Sequence, residues 1–271
     1  MTHWPPTLLL IGAGKMGGAL AHGWLAAGMP PKSLTIIEPL PSDDLTALVE
    51  EWSIRLNPPE ISPASVLVLA VKPQNLDETA KRTSAFVDGD TVILSIVAGK
   101  TIGNLEKRWP AAHSFVRIMP NTPAAIGRGV SAGYARASTS VQQREWCESL
   151  LGAVGDFFWL EEEGEIDAVT AISGSGPAYV FALTEALAGA GAGLGLSAQL
   201  AMALARGTVQ GAAELMRREP GASPETLRRN VTSPGGTTAA ALAVLKANDG
   251  IDALMARACA AARNRAAEMA G

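Results

Sequence analysis

The chain has 271 residues, with 28 glycines, 17 prolines, 48% hydrophobic residues and a formal net charge of −4. This composition predicts a sizeable buried core, excludes an extensively disordered chain and argues against a nucleic-acid partner. Cys147 and Cys259 are too few for a disulfide framework, and the scattered His3, His22 and His113 indicate no metal site.

The first half of the chain alternates short apolar runs with helical patterns, which is typical of a parallel α/β sheet. The runs are apolar throughout, as in strands covered on both faces, and lie at residues 8–11, 34–37, 66–71, 92–96 and 115–119. Helices are predicted between them at residues 15–27, 42–52 and 75–85. Two further stretches, 129–135 and 156–160, could extend the sheet around a helix at 141–151.

Composition changes near residue 163. All six tryptophans precede this point, no aromatic residue follows Phe181, and the chain becomes rich in Ala, Leu and Gly. We therefore expect an α/β domain at residues 1–163 and an all-helical domain at 164–271. Helices with such small side chains must bury their apolar surface, and a second copy of the chain is the expected partner. The alternative is a monomeric helical cap on the sheet.

No targeting or membrane segment is expected. The apolar run at 8–11 ends at Gly12 and is too short for a signal peptide. Residues 182–205 have a membrane-compatible length, but they contain Glu185 and a run of glycines from 189 to 195 that would break a helix in its middle. We expect two soluble helices joined by a glycine turn, in a cytoplasmic protein without a membrane partner.

The strongest local motif is the sequence GAGKMG, which follows the first strand and opens a helix. It has the G-x-G-x-x-G pattern of dinucleotide-binding turns in the required strand–turn–helix order. Gly12 permits the tight turn, Gly14 lets a pyrophosphate approach the backbone, and Gly17 allows close packing of the helix. The motif predicts a Rossmann-type site for a nicotinamide dinucleotide; the alternative is a purely structural glycine turn.

Glu38 follows the second strand, where a carboxylate can accept hydrogen bonds from the adenosine ribose. No Lys or Arg occurs between Ser33 and Arg55, so a 2′-phosphate would meet carboxylates rather than a cation. The loop therefore favours NADH over NADPH, unless Glu38 points to solvent and the loop rearranges. Lys72 ends another strand and could face phosphate, nicotinamide or a substrate carboxylate, or could simply be solvated.

A second distinctive stretch is NVTSPGGTT, residues 230–238, which leads into a helix predicted at 239–246. A Ser-Pro-Gly-Gly turn before a helix start converges backbone amides on one point, which suits a small anion such as a carboxylate. An ordinary capped helix start would need only one Ser or Thr.

These residues resemble the pyrroline-5-carboxylate reductase family. The signature is VTSPGGTT at 231–238, supported in family order by GAGKMG at 12–17, AVKP at 70–73, MPNTPA at 119–124 and SGSGPAY at 173–179. The resemblance implies reduction of 1-pyrroline-5-carboxylate to L-proline with NAD(P)H, the last step of proline biosynthesis. It also implies an N-terminal Rossmann domain and a helical dimerisation domain, an obligate homodimer whose partner subunit completes the active site, and rings of dimers in many members.

The resemblance also implies the residues of each site. Expected at the cofactor are Gly12, Ala13, Gly14, Lys15, Met16, Gly17, Glu38, Asn57, Ala70, Val71, Lys72, Pro73, Ala98 and Asn121, the last near the nicotinamide. Expected at the substrate are Ser233, Gly236, Thr237 and Thr238. The amides would hold the substrate carboxylate, and the Thr238 hydroxyl, the one expected catalytic group, would lie near the ring nitrogen.

Two positions depart from the family pattern. Ser223-Pro224 stands where members commonly have His-Pro, and Arg229 stands where they commonly have Asp. Both lie before the signature loop and leave the proposed substrate donors unchanged.

Two other functions compete with this interpretation. Hydroxyacid or ketopantoate-type dehydrogenases also join a Rossmann domain to helices, but they normally use a Lys or an acid on the helical domain. Here Lys246 is the single lysine after residue 163, and it lies at the far end of a helix. A non-catalytic NAD(P) sensor would not need the anion-binding loop.

Overall fold

The computed structural model describes residues 3–270. Residues 1, 2 and 271, which the predicted domain limits include, lie outside the described part. In the first 160 residues the strands are β1 Leu8–Ile11, β2 Leu34–Ile37, β3 Arg55–Leu56, β4 Val66–Leu69, β5 Val92–Ser95, β6 Ser114–Met119, β7 Gly129–Ala135 and β8 Gly155–Trp159. They form one sheet in the order β3-β2-β1-β4-β5-β6-β7-β8. The strand order reverses between β1 and β4, which is where doubly wound sheets bind their ligands.

All strand pairs of this sheet are parallel except β6 and β7, which are antiparallel. The connection between them spans only residues 120–128 and contains a 3₁₀ turn at Thr122–Ile126. A parallel crossover needs a dozen or more residues, so the chain has to turn back at this point. The Rossmann-type sheet is confirmed, with one reversed strand pair that the apolar pattern did not reveal.

Helices cover both faces of the sheet. Those of the first part are α1 Lys15–Ala26, α2 Asp43–Trp52, α3 Leu76–Thr83, α4 Ile102–Glu106, α5 Val141–Gly152 and α6 Glu165–Val169. Alternate residues of β1 point into two cores, with Leu8 and Leu10 on the α1 side and Leu9 and Ile11 on the α3 side. This explains why the predicted strands are apolar throughout rather than alternating.

Several predicted boundaries shift by a few residues. The strand predicted at 66–71 ends at Leu69, and the helix predicted at 75–85 shrinks to α3 with 3₁₀ turns on either side. A π-helical turn, Thr170–Gly174, follows α6 and was not predicted. Single π turns occur frequently at functional sites.

The chain divides into two compact units. The first contains the sheet, the chain up to Gly174 and the residues from Ala262 onward, and the second is Ser175–Ala261. The division after residue 163, expected from the change in composition, stays a prediction.

The second unit is helical, as the composition predicts. Its helices are α7 Gly176–Gly193, α8 Ala198–Arg218, α9 Pro224–Asn230, α10 Thr237–Leu245 and the first part of α11, Ile251–Ala270. The break between α7 and α8 comes at Gly195, with φ +95°, whereas Gly189, Gly191 and Gly193 lie within α7. The expectation that these earlier glycines break the helix is therefore wrong. A Cβ on Gly191 would lie 3.1 Å from the Ala201 Cβ, so small residues let α7 and α8 approach closely.

One helical stretch, Glu165–Gly193, is long and apolar enough to cross a bilayer by length and composition alone. Core helices of other proteins pass the same test, so this single stretch is weak support for a membrane span.

Candidate active site

The glycine-rich turn between β1 and α1 is shaped by close backbone contacts. Gly12 has φ +89°, and a Cβ there would lie 2.7 Å from the Ala70 carbonyl oxygen. A Cβ on Gly17 would overlap the Gly12 carbonyl, so α1 packs directly on the turn. On Gly14 a Cβ would meet open space. The turn is therefore closed toward the sheet and open toward solvent at Gly14.

The open side leads to the first turn of α1. Gly14 is its N-cap and makes no side-chain cap hydrogen bond, so the first amides of the helix have no partner within it. Such amides, together with the positive end of the helix dipole, suit a phosphate. The donor set fits a dinucleotide pyrophosphate without needing a basic side chain.

A cleft of about 1430 Å³ runs along the carboxyl ends of β1, β2 and β4. Nine of the predicted cofactor residues line it: Gly12, Ala13, Gly14, Lys15, Glu38, Asn57, Ala70, Val71 and Lys72. The structure thus brings together predicted residues that follow four separate strands, β1, β2, β3 and β4, in one concave surface.

Five predicted cofactor residues are not in the lining of this cleft. Met16 packs against the core, Gly17 packs against the turn, and Pro73 opens a 3₁₀ turn. Ala98 lies in the turn after β5, and Asn121 is buried after β6.

Glu38 is held at the rim of the cleft by backbone amides. The Ala13 N–H donates to its Oε2 at 2.8 Å, and the Leu40 N–H donates to its Oε1 at 3.1 Å. Its carboxylate is thereby bonded to the glycine-rich turn itself. The solvent-pointing alternative does not describe this geometry, because the side chain reaches back over the turn.

Asn57 braces the backbone of Glu38. Its Oδ1 accepts from the Glu38 N–H at 3.0 Å, and its Nδ2 donates to the Glu38 carbonyl at 2.8 Å. Asn57 has φ +47°, a left-handed conformation that Asn adopts more readily than most residues. The carboxamide extends the β2–β3 pairing by one residue and keeps Glu38 at the end of β2.

Sequence reasoning missed the wall of the cleft that α3 and its flanking turns form. These residues are Asn75, Glu78, Thr79, Arg82, Thr83 and Phe86. They recur every three or four residues, which is the spacing of one helical face. The sequence therefore indicates that these residues share one face of a helix. It does not indicate that this face points toward the cleft.

The side chain of Asn121 makes hydrogen bonds to the protein backbone. Its Nδ2 donates to the Ser173 carbonyl at 3.1 Å, and its Oδ1 accepts from the Val130 N–H at 2.9 Å. Ser173 belongs to the π turn, so this side chain links the MPNTPA loop to the SGSGPAY segment. The observed contacts are those of a positioning residue.

The structure also shows where one histidine and one cysteine of the first unit, His22 and Cys147, lie. His22 is exposed on α1 and lines the cleft. Cys147 is buried on α5, and burial raises the pKa of its thiol to about 12. This buried thiol is a packing group rather than a nucleophile.

The candidate substrate loop lies in the second unit and opens α10. Gly235 has φ +68°, and the Gly236 N–H donates to the Ser233 carbonyl at 3.0 Å. The Gly236 amide is therefore engaged in the turn. α10 begins at Thr237, two residues earlier than predicted, so Thr237 and Thr238 form its first turn and their amides have no partner within the helix.

The two departures from the family pattern lie at the N-cap and in the last turn of α9. The Ser223 hydroxyl accepts from the Thr226 N–H at 3.1 Å and caps the helix, a role that Ser fills well. Arg229 is exposed in the last turn, where a cation complements the helix dipole. Both residues are compatible with the helix that leads to the loop.

Comparison with known proteins decides the family. A model of the pyrroline-5-carboxylate reductase dimerisation domain matches residues 163–269, and a model of the F420-dependent NADP oxidoreductases matches residues 7–99. The chain is 40% identical over 268 residues to the pyrroline-5-carboxylate reductase of Pseudomonas aeruginosa, covering 98% of this chain and 97% of that one. The chain belongs to the pyrroline-5-carboxylate reductase family.

Solved structures of family members agree with this assignment. A pyrroline-5-carboxylate reductase from Coxiella burnetii matches with a TM-score of 0.90 and 33% identity, covering 98% of this chain and 99% of that one. The Plasmodium falciparum enzyme, solved with NADP bound, matches with a TM-score of 0.78 and 27% identity over 98% of both chains. The pyrroline-5-carboxylate reductases are NAD(P)-dependent oxidoreductases, so the dinucleotide cleft fits the family.

The competing dehydrogenase interpretation loses its candidate base. Lys246 follows α10 at the end opposite to the substrate loop, and its ammonium donates to Asp252 at 2.6 and 2.8 Å. This lysine is engaged in a surface ion pair of the helical unit. The family assignment and the local geometry point the same way.

Proposed function

We propose that the chain reduces 1-pyrroline-5-carboxylate to L-proline with NAD(P)H. The observation that carries the proposal is the loop at the start of α10, where two consecutive hydroxyl residues, Thr237 and Thr238, occupy the first helical turn beside Gly236. A protein that only sensed the dinucleotide would not need an anion-binding helix start in its second unit.

The reaction requires the protein to orient the substrate and the cofactor more than it requires a strong acid or base. Bound NAD(P)H supplies the hydride, and a cyclic imine is basic enough to be protonated from water or through one hydroxyl. The residues at the carboxyl ends of β1, β2 and β4 bind the dinucleotide and orient it. The sequence has few histidines and few candidate metal ligands, as expected if the cofactor supplies the hydride and the protein only binds and orients the reactants.

The substrate carboxylate would bind the amides of Thr237 and Thr238, since the Gly236 amide already bonds within the turn. The Ser233 hydroxyl would add a donor, and Gly236 would give room for close approach. We assign the Thr238 hydroxyl to the ring nitrogen, where it holds or relays the proton that the imine needs.

The cofactor preference is the finer part of the proposal, and we assign it to NADH. Two backbone amides hold the Glu38 carboxylate at the rim of the cleft. A 2′-phosphate brought there would face this charge, whereas a ribose diol could donate to it. Arg82 is a cation in the same cleft, but it belongs to the opposite α3 wall.

We further propose an obligate homodimer, in the cytoplasm. The match to a dimerisation domain supports self-association. The apolar side chains exposed on α7 and α8 of a single chain include Val180, Phe181, Leu183, Leu187, Leu200 and Leu204. A two-fold partner would bury them, and a mass measurement of the purified protein also tells whether dimers assemble into rings.

The proposal is tested by following nicotinamide absorbance with 1-pyrroline-5-carboxylate and, in parallel, NADH or NADPH. We expect turnover with both cofactors and a higher kcat/KM with NADH. No turnover with either cofactor would overturn the activity. A strong preference for NADPH would overturn only the assignment of Glu38.

A further inference from the structure

The turn between β5 and α4, residues 96–101, is held at both ends by hydrogen bonds. At the β5 end, the buried Ser95 hydroxyl accepts from the Val97 N–H at 3.2 Å. At the α4 end, Thr101 and Asn104 form a reciprocal capping box, and the Glu163 carboxylate accepts from the Ile102 N–H at 2.7 Å. These contacts leave the middle of the turn to be fixed by something else.

The middle of the turn packs against the end of the chain. Gly99 is buried although it lies at the tip of the turn, and it has φ +66°. A Cβ on Gly99 would lie 2.8 Å from both the Cβ and the carbonyl oxygen of Met269, in the last turn of α11. The residues from Ala262 onward belong to the same compact unit as the turn. The end of α11 therefore covers Gly99.

Gly127 shows that this contact is not required by the backbone conformation alone. It has φ +65°, nearly the value at Gly99, yet a Cβ on Gly127 would meet open space. Glycine at 127 is explained by its left-handed conformation. Glycine at 99 is required by the conformation and, independently, by the neighbouring α11 backbone.

The position of the turn connects this packing to the cofactor. β5 lies next to β4, and the carboxyl ends of the two strands share one edge of the sheet. The large cleft spans the switch point from Glu38 after β2 to Lys72 after β4, and its Glu38 end is where the adenosine half of a dinucleotide is expected. The turn after β5 is on the other side, where the nicotinamide half is expected.

We propose that the last turn of α11 is a positioning element that holds the β5–α4 turn in the conformation that receives the nicotinamide half of the cofactor. The inference rests on the proposed function for the identity of the ligand, NAD(P)H. Met269 acts through Gly99 and the turn, and it needs no contact with the cofactor itself. The last turn of α11 thereby supports the cofactor site of the first unit without forming part of it.

The first test compares Gly99→Ala with Gly127→Ala, because both substitutions place a Cβ at nearly the same positive φ. Each is expected to lower the melting temperature through backbone strain. Only Gly99→Ala is expected to weaken NADH binding, by about tenfold in the Kd measured by nicotinamide fluorescence, because the turn must move away from Met269. Gly28→Ala, also at positive φ with open space, is a second control.

The second test removes Met269 and the residues after it. We expect this truncation to raise the NADH Kd by itself, and Gly99→Ala in the truncated chain to add little further effect, since the colliding backbone is gone. Equal Kd values for Gly99→Ala and Gly127→Ala, or strictly additive effects of truncation and substitution, would overturn the inference. Failure of the proposed function is separate: wild-type protein would then bind NADH but leave the imine unreduced.

Discussion

Glu38 gains its orientation from residues that are distant in sequence. The Ala13 amide lies in the turn after β1, and Asn57 lies after β3 on the other side of β2. Three neighbouring strand ends thus converge on one side chain. Spacing from the glycine motif could place Glu38 near the ribose, but it could not reveal this network, because strand order is a property of the sheet.

Glu38→Gln tests whether the charge of this side chain sets the cofactor preference. The carboxamide has the same shape as the carboxylate and can still accept a hydrogen bond from one of the two backbone amides. It carries no charge, so it no longer repels a 2′-phosphate. We expect the ratio of kcat/KM for NADPH to that for NADH to rise by about tenfold. Steady-state kinetics with both cofactors at saturating imine measure this ratio.

Asp44→Asn is the matched control for Glu38→Gln. Asp44 also lines the cleft, but it lies in the first turn of α2 rather than on the glycine-rich turn. Its replacement removes the same charge and is expected to shift the ratio much less. Equal shifts in the two variants would mean that the overall charge of the cleft, and not Glu38, discriminates between the cofactors.

Thr238 is the residue on which the proposed chemistry depends most directly. Thr238→Ala removes the hydroxyl while the first turn of α10 and its amides can remain in place. We expect kcat to fall by about 10–100-fold, the lower range for one positioned acid–base group. Thr238→Ser retains the hydroxyl and should recover most of the rate. An unchanged kcat in Thr238→Ala would remove the residue from the mechanism.

At the scale of the elements, the sequence predicts features that depend on neighbouring residues, such as helix caps. Ser42 and Ser140 cap α2 and α5 through hydrogen bonds to amides three residues on, and such caps are readable from sequence. β3 was missed because it has only two residues, one of them the exposed Arg55. Its pairing depends on left-handed turns at Ser53 and Asn57, which apolar periodicity does not register.

The candidate site was predicted in part for the same reason. Residues that lie directly after strands came together in the cleft, since parallel strands end at one edge. Asn121 did not join them, because its partner Ser173 lies 52 residues away in a π turn that no pattern indicated. The contact between Gly99 and Met269 is still more remote in sequence.

At the scale of the whole molecule, the two units differ in how many of their apolar side chains are buried within a single chain. The first unit has two cores, one on each face of its sheet. In the second, few side chains of α7 and α8 are buried, Ala188, Ala201 and Ala205 among them. Exposed apolar surface on this scale marks an interaction site. A matching dimerisation domain makes a second copy of the chain the expected occupant.

Phe181→Asp tests this expectation at a side chain that is 63% exposed in the single chain. Burying a Phe side chain is worth about 1.5–3 kcal/mol, and in a two-fold interface the loss occurs in both subunits. An Asp there would also have to bury its charge. We expect the dimer Kd to rise at least about 100-fold, measured by light scattering over a dilution series.

Val141→Asp provides the control, because Val141 is 75% exposed but lies in the first turn of α5 in the other unit, where an acidic residue complements the helix dipole. This variant should keep the mass and the activity of the wild type. If the dimer is obligate, activity in Phe181→Asp falls in step with dissociation and returns at high protein concentration. A monomeric wild type, or a Phe181→Asp variant that stays dimeric at every dilution, would contradict an interface at this face of α7.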